Sequence, residues 1–447
     1  MDEEAAALAR VEKALQERFP SRMVPDLDRI TDLLDLLGSP QRSYPSIHIT
    51  GTNGKTTTAR MVDTLLREFG VRTGRYTSPH LESVTERIAL DGRPLAPSRF
   101  AAAYDDVAPF AEIVDGRHED ALTFFELLTA MAFAAFADAP VEVAVVEVGL
   151  GGRWDATNVV QAPVAVVTPI GLDHVGILGD TVEAIAGEKA GIIHSGAVVI
   201  EAPQPPGAAA VLAARADEVG ARIVRVGTDF GVRSRTVAVG GQMLELEGLG
   251  GTYDEIFLPL YGAHQAGNAA CALAAVEAFF GAGDRGRIDV DIVRSAFASV
   301  TSPGRLEIVR RSPTILLDGA HNPAGAAALA VALDEAFSFT RLVAVIGVLD
   351  DKDAAGLLDA LQPVVDSVVV TTNTSPRALG VDELAAVAVE VFGDSRVEVA
   401  ARLDDAIEAA VSAAEEDGAV GGGVLVTGSI VTVGEARRML TRGRRFE

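Results

Sequence analysis

The chain is 447 residues long, enough for two hydrophobic cores, with 49% hydrophobic residues and glycine throughout, as in a large α/β enzyme. A formal net charge of −25 excludes the basic footprint of a nonspecific nucleic-acid binder, so any anionic substrate must be met by a local reversal of the field. A single cysteine, Cys271, excludes an internal disulfide, the opening Met1-Asp2-Glu3-Glu4 carries no leader, and the longest apolar run (127–137) is too short for a bilayer, which together lead us to expect a cytoplasmic protein without a membrane partner.

Strand and helix patterns alternate along the chain. "SIHIT" (46–50) is a short β-type run, followed by a glycine turn and a helix over 55–69. "LTFFELLTAMAFAAFA" (122–137) predicts a long helix, and "EVAVVEVG" (142–149) and "PVAVVT" (163–168) are β-branched runs of the buried, parallel type. Residues 231–258 change to the alternation of antiparallel hairpins, and helices over 263–280 and 289–299 follow. "TSPGRLE" (301–307) reads as a boundary. Beyond it come strand "TILLDGA", a helix from Pro323, strands "RLVAVIGVL", "SVVVTTN" and "GVLVTG" with helices between, and a last helix. The expectation is an α/β protein of two domains. Residues 1–300 form a P-loop ATPase-like domain with a mostly parallel sheet and a small antiparallel section, and 301–447 a smaller Rossmann-like α/β domain. Ligands are expected at strand C-termini facing a cleft, particularly between the domains.

The stretch "ITGTNGKTTTAR" (49–60) carries the sharpest chemistry. Gly51 and Gly54 permit a tight turn whose amides point inward, and the helix N-terminus behind it favours an anion. Lys55 adds a point charge for the β/γ-phosphates and Thr56 a hydroxyl for Mg²⁺. The loop is a shortened G-x-x-G-K-T variant, since Ile49 stands where the general pattern has its first glycine. An ordinary helix-capping turn is the bland alternative. Only four lysines occur (Lys13, Lys55, Lys189, Lys352), and Lys55 and Lys189 both fall in glycine-containing motifs where arginine could not do the same chemistry. Glu147 ends a buried strand, where an unpaired carboxylate is costly unless a cation meets it, and suits the Mg²⁺ of ATP if it does not turn to solvent. Lys189, in "GEKAGII", lies between small and apolar residues; buried, it would react as the neutral amine, and otherwise its tip is simply at the surface. Asp173 and His174 follow another buried strand. In "LDGAHNPAG" (317–325), Asp318 is placed for a ribose and His321 for a phosphate or carboxylate, with helix capping as the competing role.

Taken together, GTNGKTTT (51–58), YTSPHL (76–81), ERI (86–88), LTFFE (122–126), EVGLGGRWDATN (147–158), IGLDHVGILG (170–179), EKAGI (188–192), HQAGN (264–268), PGRLE (303–307) and DGAHNP (318–323) resemble the folylpolyglutamate synthase/dihydrofolate synthase family of the Mur ligase superfamily. The resemblance implies an ATP-dependent ligase that adds L-glutamate to dihydropteroate, to the glutamyl tail of reduced folates, or to both, through an acyl phosphate. It assigns Gly51, Thr52, Asn53, Gly54, Lys55, Thr56 and Thr57 to the ATP phosphates, and Asn268, Arg305 and Asp318 to the rest of the nucleotide. Ser78, Glu147, His174 and a carbamylated Lys189 are implied ligands of two Mg²⁺ ions. Arg87, Thr123, Phe125 and Asp155 lie around the pterin, and His321, Arg377 and Ser429 around glutamate, with Lys55, Lys189 and His321 catalytic. The implied partners are small molecules only, and the implied state is a monomer. Trp154 stands where relatives often carry a smaller aliphatic residue, at the pterin edge. A cell-wall UDP-N-acetylmuramoyl amino-acid ligase and a noncatalytic nucleotide-binding protein of the same fold are the rivals.

Overall fold

The computed structural model describes residues 3–19, 24–282, 286–416 and 421–442. The chain divides into two compact units, one of residues 1–235, 244–258 and 266–300, the other of 236–243, 259–265 and 301–447.

The first unit holds β1 (Ser46–Thr50), β2 (Thr73–Tyr76), β3 (Ile88–Leu90), β4 (Arg93–Pro94), β5 (Val143–Glu147), β6 (Val164–Val167), β7 (Val198–Glu201) and β8 (Arg222–Arg225) in the order β4-β3-β2-β5-β1-β6-β7-β8. Neighbours are parallel from β2 to β8, and β3 and β4 add an antiparallel edge. Every residue of β1 and β5 is buried, which accounts for their unbroken apolar character. Ile49 pairs with Glu147 and Thr50 with Val167, so the C-terminal ends of three strands lie level with β1 at the centre. The chain leaves β1 toward β2 on one side and later returns to β6 on the other, making this a topological switch point.

Two helices frame that point. The helix Lys55–Glu68 starts directly at Gly54. The apolar helix begins at Phe124 because Thr123 caps it, its hydroxyl accepting the Glu126 amide at 3.2 Å while Glu126 accepts the Thr123 amide at 2.8 Å. Phe100, Phe133, Phe136 and Tyr76 are fully buried in the core on this side of the sheet. Removing one such phenylalanine ring should cost about 3–5 kcal/mol.

A three-stranded sheet of β9 (Gly231–Ala238), β10 (Gly241–Glu247) and β11 (Thr252–Leu258), in sequential order, forms where hairpin alternation predicts it. In the first unit, Glu277 secures the turn before β11, accepting Leu249 N at 2.6 Å, Gly250 N at 3.0 Å and the Tyr253 hydroxyl at 2.6 Å.

The second unit contains β12 (Glu307–Arg311), β13 (Thr314–Leu317), β14 (Arg341–Ile346), β15 (Ser367–Val370), β16 (Val397–Val399) and β17 (Gly422–Thr427), ordered β12-β13-β17-β14-β15-β16. Its four interior strands are those the apolar runs predict. The two edges are additions. β12 runs antiparallel to β13 and carries Arg310 and Arg311, and β16 is three residues with two exposed, so neither shows a buried-strand pattern.

Candidate active site

The phosphate loop follows from backbone geometry. Gly51 and Gly54 adopt φ of 143° and 90°, a region closed to most side chains. Space is closed as well: a Cβ on Gly51 would lie 1.9 Å from Thr168 Oγ1, and one on Gly54 2.6 Å from Asn268 Oδ1. Asn268 therefore sits directly against the loop, carried by the helix Ala263–Phe280. The loop is tied to the segment after β6 by Thr52, whose hydroxyl donates to Gly171 O at 3.1 Å and accepts Gly171 N at 3.0 Å. The Asn53 amide donates to Pro169 O at 3.4 Å, and Thr57 is buried in the first helical turn.

Lys55 Nζ donates to Gly51 O and Thr52 O, both at 3.0 Å, and Lys189 Nζ donates to the same Gly51 O at 2.8 Å. Two of the four lysines thus converge on one carbonyl. Lys189 closes the helix Val182–Lys189 and is only 4% exposed. Burial, reinforced by the Lys55 charge, pulls its pKa down to about 7, with Asp173 and Asp155 opposing the fall.

Glu147, at the end of β5 and 1% exposed, accepts the Thr56 hydroxyl at 2.9 Å and the Ser78 amide at 3.2 Å. A buried carboxylate beside two hydroxyl residues is a hard-oxygen donor set, and Mg²⁺ fits it. Among the described residues no three His, Cys, Asp or Glu side chains gather as a metal cage. An ion here would need hydroxyl, water and phosphate oxygens besides Glu147, the usual habit of nucleotide-borne Mg²⁺. His174 takes a left-handed φ of 51° ahead of a short helix, its Nε2 3.9 Å from Asp173 Oδ1.

Beside Glu147 lies an aromatic and charged cluster. Arg87 is buried, donates from Nε to His80 Nδ1 at 2.9 Å, and stands 5.2 Å from the Phe124 ring centroid. Burial lowers its pKa, and Tyr76, Glu147 and Glu86 counter that. Phe125 packs on Gly149, where a Cβ would come within 2.4 Å of the ring, and lies 5.8 Å from Tyr76. Asp155 is spent largely on its own loop: Oδ1 accepts the Thr157 amide at 3.0 Å and the Thr157 hydroxyl, and Oδ2 accepts Leu150 N at 2.8 Å. Thr123 serves as the helix cap described above. Trp154 packs with Leu150 against the cluster of Leu178, Ile185 and Ala186, backing the helix that carries Lys189.

In the second unit, Asp318 Oδ2 accepts Leu306 N and Oδ1 accepts Ala320 N, both at 2.8 Å, while Arg305 lies over Gly319, where a Cβ would meet its Nη1 at 2.1 Å. His321 Nδ1 is 2.9 Å from Gly319 O. Ser429 is buried at the end of β17, its Oγ accepting Val431 N at 3.0 Å, and Gly428 N donates to Ala320 O at 3.1 Å. Arg305, Asp318, His321 and Ser429 therefore meet at adjacent strand ends. Arg377 does not join them by any described bond: it is 60% exposed, with Nη1 3.9 Å from Asp351 Oδ1. Sequence reasoning placed Tyr76 in the YTSPHL motif without a role and missed Thr168 and the Thr52–Gly171 pairing, because each acts through a contact distant in the chain.

A glycine loop with its lysine, a strand-end carboxylate for nucleotide-borne Mg²⁺ and a second lysine of lowered pKa define an ATP-dependent ligase of the P-loop class. Residues 49–276 match the Mur ligase middle domain and 304–430 the Mur ligase glutamate ligase domain. The dihydrofolate synthase/folylpolyglutamate synthase of Mycobacterium tuberculosis is 54% identical over 98% of this chain and 95% of its own length. Among solved structures, Mycobacterium tuberculosis folylpolyglutamate synthase complexed with ADP superposes with a TM-score of 0.95 at 54% identity, covering 98% of this chain and 99% of that one. E. coli FolC in complex with DHPP and ADP gives 0.85 at 33% identity, covering 99% and 100%. The chain belongs to the folylpolyglutamate synthase/dihydrofolate synthase family of Mur ligases. No helix among the described residues is long and apolar enough to cross a membrane.

Proposed function

We propose that this ligase uses ATP to add L-glutamate to dihydropteroate and to the glutamyl tail of reduced folates. The observation that carries the reading is the convergence of Lys55 and Lys189 on Gly51 O, with Thr56 bonded to Glu147 on the next strand. The Lys55 ammonium, the helix N-terminus behind it and the Mg²⁺ ions that Glu147 and a carbamylated Lys189 would hold make a local positive site in an acidic protein, where a carboxylate and a triphosphate, both anions, can be brought together. The cluster of Tyr76, Phe125, Arg87 and Asp155 beside it supplies stacking surface and both signs of charge, suited to a flat, nitrogen-rich ring.

An oxygen of the acceptor carboxylate attacks the γ-phosphorus, the bond to the β-phosphate oxygen breaks, and ADP leaves. The glutamate amine then attacks the acyl carbon, loses a proton, and expels inorganic phosphate. The loop of Gly51 to Thr57 and the Lys55 ammonium hold the phosphates, and Asn268, Arg305 and Asp318 the rest of the nucleotide. Ser78 and Glu147 would hold one Mg²⁺, and His174 with Lys189 a second. When bound, these ions neutralise charge on the transferring phosphoryl group. Lys189 serves as a carbamate: its neutral amine attacks the carbon of CO₂ and a proton is released, leaving a carboxylate on the side chain. Arg87, Thr123, Phe125 and Asp155 line the pterin end, and His321, Arg377 and Ser429 receive glutamate. The enzyme works as a cytoplasmic monomer.

ADP release by the purified protein with ATP, Mg²⁺ and L-glutamate, comparing dihydropteroate with tetrahydrofolate, tests the proposal. Turnover with both, each product gaining one glutamyl unit by mass, is expected. Silence with both and turnover of a UDP-muramoyl acceptor would overturn it.

A further inference from the structure

His48 stands at the centre of β1, three residues before Gly51, and is completely buried. Among the described residues its Nδ1 has no hydrogen-bond partner, a defect that an apolar side chain at this position would avoid. The other ring nitrogen, Nε2, lies 2.9 Å from Thr157 Oγ1. Thr157 has one hydroxyl proton, and Asp155 Oδ1, which also accepts the Thr157 amide, takes it. Nε2 must therefore carry the ring proton and donate to Thr157, which leaves Nδ1 as the unprotonated nitrogen, and among the described residues no acceptor stands beside it to receive a proton there. A directional chain runs from the sheet core to the acidic side chain: His48 Nε2–H to Thr157 O–H to Asp155 Oδ1. From Oδ2, the same carboxylate holds Leu150 N, so the shape of the loop after Glu147 depends on its orientation.

We propose that His48 is a positioning residue for the acceptor: through Thr157 it fixes the orientation of Asp155 and the loop over 148–158 against which the flat ring of the folate binds. This rests on the folate reading above. It requires one tautomer of His48 and a geometry that is lost when either bond is removed.

The test is a comparison of KM for dihydropteroate and for ATP in His48→Leu, His48→Gln, Thr157→Val and the His48→Leu/Thr157→Val double variant. A ¹⁵N NMR assignment of the histidine tautomers in the unliganded wild type accompanies it. Each of His48→Leu and Thr157→Val should raise the acceptor KM about tenfold with the ATP KM within about twofold, and the double variant should be no worse than either single one. His48→Gln, whose side-chain amide can reach Thr157, should recover most of the loss. His48 should show a protonated Nε2 and a bare Nδ1. Equal rises in both KM values, additive effects, an unchanged acceptor KM or an Nδ1–H tautomer would overturn the proposal. Should His48→Leu not fold, the nearly isosteric Thr157→Val decides the KM comparison. A wild type that turns over no folate acceptor would refute the functional reading, and the tautomer measurement would still decide the chain itself.

Discussion

Replacement of Lys189 separates the roles of its amine. At pH 7 an ordinary lysine, with pKa 10.5, presents about three neutral amines in ten thousand, whereas one pulled to about 7 presents about half. The buried site thus makes the neutral amine, the form that the proposed carbamate requires, more than about a thousandfold more abundant. Lys189→Ala should reduce ADP release by about 10²–10³-fold or more, the range for deleting one group that stabilises charge in a transition state. Lys189→Arg should be no better, since its guanidinium stays protonated. In the wild type, activity should fall as pH drops below about 7, where the amine takes up its proton, and should depend on added bicarbonate in CO₂-depleted buffer. The same shift has a signature in stability. The unfolded lysine keeps its proton up to about 10.5 and the folded one only to about 7, so between these values the unfolded state binds more protons and stability rises with pH. From pH 7 to 9 that gain is about 2 kcal/mol, and it should be missing from the pH dependence of Lys189→Met. The assays are coupled ADP release and urea unfolding in CO₂-free buffer. Near-normal turnover of Lys189→Ala without bicarbonate or acetate would refute the carbamate. Equal pH slopes in wild type and Lys189→Met would refute the lowered pKa.

Glu147→Gln keeps the bonds to Thr56 and Ser78 within reach but removes the buried charge, so kcat/KM for MgATP should fall about 10²-fold and recover in part at high Mg²⁺, as kinetics over a magnesium series would show. Its melting temperature should be unchanged or higher, because the neutral amide costs less to desolvate than a carboxylate that is only 1% exposed. Gly51→Ala places a Cβ 1.9 Å from Thr168 Oγ1 at a φ of 143°, and should cost more than about 2 kcal/mol in urea unfolding and abolish ADP binding by calorimetry. Wild-type stability in that variant would refute the loop geometry. Asp318→Ala strips the Leu306 and Ala320 amides of their acceptors, at about 1–3 kcal/mol for each orphaned group. The ATP KM should rise at least about tenfold in steady-state kinetics, with the dihydropteroate KM within about twofold.

Local chemistry is legible where one residue type has few uses. Gly51, Gly54 and Lys55 announce an anion loop because positive φ, inward amides and a point charge are all encoded within five residues. Strand runs such as "AVVE" and "VAVV" are legible because both faces of a parallel sheet are buried. β12 and β16 were not, since an edge strand needs no apolar face, and the helix start at Phe124 depends on a reciprocal cap between Thr123 and Glu126.

By its sequence alone, this protein is an α/β chain with a phosphate loop, a strand-end glutamate and a lysine among small residues. Only the tertiary structure decided that Lys55 and Lys189, 134 positions apart in the chain, share the carbonyl of Gly51, that Thr56 meets Glu147, and that His48 reaches Asp155 through Thr157. The reason is physical. A residue's type and its neighbours set turns, caps and burial, whereas a lowered pKa or a directed hydrogen bond depends on groups brought to within 3 Å by the order of strands in the sheet.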